Sequence, residues 1–157
     1  MSRYDWLLFV HVLGAFSFLG GIAALTALQI AAITSVRASD VALFMTLGRV
    51  GEVMVNVGAI VVLVFGIWLA LDLDYGLDEP WIVASLALWV LSAVLGYFGG
   101  KRYAAARREA TRLAADDDRP TAELDALLRD PVALLVNWGG ATAVLAILAL
   151  MVFKPGS

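Results

Sequence analysis

Residues 53–71 read VMVNVGAIVVLVFGIWLAL. The stretch carries no charge and one strongly polar side chain, Asn56. A membrane-crossing helix needs about 20 apolar residues, because each adds 1.5 Å and the hydrocarbon core is ~30 Å thick. Apolar residues follow one another here without the strict alternation of a barrel strand. In lipid such a backbone must satisfy its own N–H and C=O groups, so it is a helix. Three similar runs lie around it: Trp6–Ala32 before it, and Trp81–Gly100 and Val132–Phe153 after it.

Composition agrees. The 157 residues are 62% hydrophobic and 16% charged, with a mean hydropathy of +0.88. A soluble domain is about 45–50% apolar and about 25% charged. A small domain keeps much of its surface exposed, so lipid is the solvent that suits this chain. The expectation is an all-α, transmembrane four-helix up-down bundle forming a single domain over 1–157. Its helices are expected at about 5–34, 40–72, 80–115 and 130–154. Pro80 suits a helix start, where its missing N–H is not needed. Asp130 before Pro131 is a plausible N-cap, and Ser39 and Asp40 are candidate caps for the second helix. Thr121–Arg129 has the pattern of one short amphipathic helix.

Lys and Arg placement sets the orientation. Arg37, Arg49, Lys101, Arg102, Arg107, Arg108, Arg112, Arg119 and Arg129 fall in or beside loops 35–40 and 116–130. Only Arg3 and Lys154 fall on the other side. The positive-inside rule makes those two loops cytoplasmic and both termini non-cytoplasmic, N-out and C-out. The expected location is the plasma (inner) membrane. The first run is too long, and its basic start too weak, for a cleaved signal peptide. Trp6, Trp68 and Trp81 are expected near the outer interface and Trp138 near the inner one. Trp89, at mid-span, is expected to pack between helices.

Several chemistries are excluded. There is no cysteine, hence no disulfide or thiolate cluster, and one histidine, hence no multi-histidine metal site within a chain. No phosphate-binding glycine loop or nucleophile elbow is present. The basic stretch Lys101–Arg112 is short and acids follow it, which argues against nucleic acid. Such a stretch beside a span also suits anionic lipid heads, at about 1 kcal/mol per residue.

Two groups of side chains are candidates for function. His11 shares a helix face with Gly14, Phe18, Ile22, Leu25 and Gln29, roughly five turns long. That stripe should face the bundle. An ionisable group in a span is a functional hypothesis by default, as an axial haem ligand or proton relay; the plainer reading is a hydrogen bond to a neighbouring helix. The second group is Arg49, Glu52 and Asn56 on one face of the second helix, with Gln29 and Asn137 at similar depth. It reads either as an ion or substrate path, with Glu52 paired to Arg49, or as interhelical glue. Glycines 14, 20, 21, 48, 51, 58, 96, 99, 100, 139 and 140 allow close helix approach, or equally make room for a flat cofactor.

The opening, Trp6-Leu-Leu-Phe-Val-His11-Val-Leu-Gly-Ala-Phe-Ser-Phe-Leu-Gly-Gly21, resembles the first helix of a bacterial group. That group holds copper resistance protein D (CopD), the HemJ-type protoporphyrinogen oxidase, and a family of four-helix integral membrane proteins without an assigned activity. The last is the best match in length and layout. The HemJ-type third helix has two histidines and a lysine where this chain reads Trp81-Ile82-Val83-Ala84-Ser85 and Gly96-Tyr97-Phe98. The resemblance therefore implies His11 as the one carried-over haem ligand and argues against the oxidase activity. Three functions follow as expectations. One is a binding or accessory protein holding haem, another porphyrin or a lipid near His11. The others are a redox or electron-transfer subunit, and a transporter or channel component built on the Arg49, Glu52, Asn56 and Asn137 cluster. The expected partners are the lipid bilayer and a second copy in a symmetric dimer.

Overall fold

The computed structural model describes residues 2–155, with the side chains of residues 133, 134 and 137 excepted. Among these residues there are five helices: α1 (Arg3–Ile33), α2 (Ala38–Asp72), α3 (Pro80–Ala114), α4 (Ala122–Leu128) and α5 (Pro131–Phe153). The windows in α1, α2 and α3 are long and apolar enough to cross a membrane, and α5 is apolar through Trp138–Phe153. Few residues of those windows are buried inside the chain; Phe16, Val50, Ile60 and Val90 are exposed. Apolar side chains pointing outward are what a lipid solvent requires.

The elements begin and end for identifiable reasons. Ser2 caps α1 by accepting from the Asp5 N–H while the Asp5 carboxylate accepts from the Ser2 N–H, a capping box. Pro80 occupies the first turn of α3. Thr121 caps α4, and Asp130 accepts from the Val132 N–H at 2.7 Å. Neither Ser39 nor Asp40 caps α2, because the helix starts earlier, at Ala38. The cap comes from across the fold: Asp118 accepts the Ser39 N–H at 2.7 Å and the Arg37 guanidinium at 2.8 Å. Those bonds hold the Asp118 carboxyl below its usual range, the Ser39 N–H being the largest cause.

The helices pack as two antiparallel hairpins, α1 with α2 and α3 with α5. The hairpins meet mainly through α2 and α3, and α1 barely touches α5. Glycines set the spacing in the first hairpin. A Cβ on Gly58 would lie 2.6 Å from the Phe18 nitrogen, and one on Gly21 would lie 2.9 Å from the Gly51 oxygen. Gly14 and Gly21, like Gly51 and Gly58, are two turns apart, so the backbones touch at two successive levels.

At 35 residues each, α2 and α3 are about 52 Å long, well beyond the ~30 Å hydrocarbon core. The excess lies at the end that carries the α1–α2 turn and α4, here called the basic end. There Val41, Met45, Ala110, Leu113, Leu124 and Leu128 form a closed core. Helix α4 lies within loop 116–130, inside the Thr121–Arg129 segment expected to form a short amphipathic helix, and its buried Leu124 and Leu128 seal that core. The opposite end is tied by an ion pair between Arg3 and Asp72 and by Lys154, which donates to Tyr75 at 2.8 Å. Trp81 is buried against Tyr75 rather than turned out to an interface. Trp6, Trp68 and Trp138 are exposed.

Candidate functional site

The weak contact between α1 and α5 leaves a cavity of about 670 Å³ between the hairpins. Its apolar walls include Phe18, Ile22, Val55, Ile60, Trp89 and Ile147. Gln29, Glu52, Asn56, Tyr97, Lys101 and Tyr103 line it toward the basic end. On α3 the lining runs from Trp89 to beyond Lys101, about 18 Å between those two residues at 1.5 Å per residue.

Three glycines make this space. Gly96 and Gly100 on α3 and Gly140 on α5 line the cavity, and a Cβ on any of them would meet nothing within 4 Å. They differ from Gly21 and Gly58 of the first hairpin, whose Cβ would strike backbone. They differ also from Gly99, where a Cβ would lie 2.6 Å from Val136. One residue type thus does two opposite jobs, closing one hairpin and hollowing the space beside the other.

Most donors in the wall are committed to backbone carbonyls. Trp89 Nε1 donates to Ala59 O at 3.3 Å, bridging α3 to α2 as its mid-span position suggested. Tyr103 Oη donates to Leu25 O at 3.1 Å, and Ser92 Oγ to Leu88 O at 2.8 Å. Asn56 Nδ2 donates to Glu52 O at 2.7 Å. Gln29, buried, donates to Leu128 O at 3.4 Å and so secures the end of α4. These bonds stiffen the wall.

The charges are arranged otherwise than the sequence suggested. Glu52 does not pair with Arg49. Its partner is Arg107 of α3, at 3.9 Å, because the antiparallel course of α3 brings that side chain level with Glu52. Arg49 is exposed and does not line the cavity. Arg102, beside the cavity, pairs with Asp130. Lys101 lines the cavity, with Nζ 4.3 Å above the Tyr97 ring, and makes no ion pair among the described residues. The Asn137 side chain lies outside the described residues. Gln29, Glu52 and Asn56 thus share one site. Lys101, which begins the basic stretch suited to anionic lipid heads, joins it, as do Gly96, Gly100 and Gly140, expected to allow close approach or make room for a flat cofactor; Tyr97 and Tyr103 join it without having been read as site residues.

His11 is elsewhere. Its Nδ1 lies 3.1 Å from the Val62 carbonyl, which can only accept, so Nδ1 carries the proton. The ring fills the gap opposite Gly66, whose Cβ would sit 2.8 Å from His11 Cε1. An Nδ1–H bond to a carbonyl is also how metal-ligating histidines are oriented. The space a macrocycle needs is absent beside the ring on that side, and His11 does not line the cavity. No histidine, cysteine or methionine does, so the cavity wall supplies no such axial ligand. The residues of the cavity do not fit haem held by His11.

Three long apolar helices, each longer than the membrane core is thick and with outward apolar faces, define a multi-pass integral membrane protein. The chain matches, over residues 5–155, the model of the family described as "Predicted integral membrane protein (DUF2269)", and it belongs to that family. No curated protein and no solved structure matches it.

Proposed function

We propose that this is a membrane-embedded binding protein for an amphiphile, which enters from the bilayer between α1 and α5 and lies in the cavity between the hairpins. The single observation carrying this reading is the cavity itself, about 670 Å³ and within the roughly 300–1,000 Å³ of small-molecule sites. Its apolar walls and one polar end match a molecule with a greasy body and a polar head. The path is the bundle side where neighbouring helices touch least. The three glycines supply a second support, since a packed bundle gains nothing from glycine where no neighbour approaches.

In this reading α5 is the fourth span, because its 23 residues reach about 34 Å. The basic end faces the cytoplasm, by the positive-inside rule. The chain has no cysteine, so single-cysteine variants label cleanly. Arg108→Cys should react with a membrane-impermeant maleimide only from the inside, and Asp78→Cys only from the outside.

Binding itself is tested by Trp89 fluorescence. A spin-labelled fatty acid added to protein in zwitterionic nanodiscs should quench wild type more than Trp89→Phe. Gly140→Leu, which fills the cavity, should erase that difference. Equal quenching in all three proteins refutes the reading. The cavity also reaches Glu52, as a transport path would require. Release of the bound amphiphile to the opposite leaflet would extend the binding role to transport.

A further inference from the structure

We infer that the amphiphile is anionic and single-chained, with its head at Lys101 and its tail running toward Trp89; this rests on the binding role proposed above. The charge argument is local. Two charged side chains line the cavity, Glu52 and Lys101. Glu52 is offset by Arg107 at 3.9 Å, and the neighbouring Arg102 by Asp130. Of the two lining charges, Lys101 makes no ion pair with a carboxylate among the described residues, so the polar end carries one unbalanced positive charge. Its ammonium rests over the Tyr97 face at 4.3 Å, which holds the charge at the cavity edge. A carboxylate or phosphate monoester balances it, whereas a cationic head does not.

Length and volume select the tail. The apolar wall runs about 18 Å from Lys101 to Trp89. That is close to one leaflet's share, about 15 Å, of the ~30 Å hydrocarbon core. Lys101 begins the charged run that follows the α3 span, where an interface-level head belongs. A site of about 670 Å³ is drug-sized and takes one chain of that length; a two-chain phospholipid exceeds it.

The test compares probes that differ only in the head. Spin-labelled stearic acid and its methyl ester are titrated into full-length protein in phosphatidylcholine nanodiscs, following the Trp89-dependent quenching. The acid should bind about fivefold more tightly than the ester, the effect of one interfacial lysine. Lys101→Gln should abolish that preference. Equal affinity of acid and ester in wild type overturns the anionic assignment but leaves the binding role intact. Absence of Trp89-dependent quenching by either probe overturns the binding role itself. Displacement of the bound acid by phosphatidylglycerol, at equal mole fraction, overturns the single-chain assignment. Since Trp89→Phe removes a helix–helix bond, native mass spectrometry of wild type and Lys101→Gln gives an independent readout of bound stearate and ester.

Discussion

The two glycine populations predict opposite responses to the same substitution. Gly→Ala in a helix interior removes backbone entropy from the unfolded chain and is worth roughly 0.5–1 kcal/mol where the methyl fits. At Gly100 the new Cβ meets nothing within 4 Å, so the full gain should appear. At Gly58 the methyl would sit 2.6 Å from the Phe18 nitrogen and 2.8 Å from the Gly14 oxygen. Those are backbone atoms, which cannot swing aside as a side-chain tip can. α1 and α2 must separate along their tightest level, also loosening the Gly21–Gly51 contact two turns away. Overpacking of this kind costs about 1–3 kcal/mol. The net difference between Gly100→Ala and Gly58→Ala should therefore be roughly 1.5–4 kcal/mol. Reversible unfolding in mixed micelles, followed by circular dichroism across a denaturing-detergent series, measures it. If Gly58→Ala is as stable as wild type, the close-packed hairpin is wrong. If Gly100→Ala is destabilised by more than about 1 kcal/mol, the space beside α3 is not open.

Three further outcomes follow. His11→Ala should cost about 0.6 kcal/mol, and at most about 2, the range of interhelical bonds in membranes; haem added to wild type and variant should give the same Soret spectrum. Leu124→Ala, at a position with 0% exposure, should cost about 2–5 kcal/mol and speed hydrogen exchange in α4 before the spans. Asp118 has a depressed carboxyl pKa, so its contribution is present above the ordinary value of about 3.9 and is lost as pH falls through the lower folded value. The protection factor at the Ser39 amide, corrected for the intrinsic pH dependence of exchange, should thus be unchanged from pH 7 to 5 and fall below about 4, a loss already present at neutral pH in Asp118→Asn.

Much of the fold was legible in the chain. Residues 53–71 are too apolar and too long for anything but a helix in lipid, and helix spans, unlike sheets, are read from local sequence alone. Pro80, Thr121 and Asp130 mark boundaries because capping is a short-range interaction. The site was less legible. Glu52, Asn56 and Gln29 stood out because polar atoms in a span must find partners, yet the partner of Glu52 could not be read. Arg49 is its neighbour along one helix, and Arg107 reaches it only through the antiparallel docking of another.

The chain by itself determined that its long segments are helices and that lipid is their solvent, since both follow from composition and backbone hydrogen bonding within each segment. Tertiary structure alone decided what each glycine is for. A missing side chain is the same in Gly58 and Gly100, and only the distance to the next helix makes one a contact and the other part of a chamber. It likewise put Gln29, Glu52 and Asn56, and not His11, at the gap between the hairpins, because a space between helices belongs to no single helix.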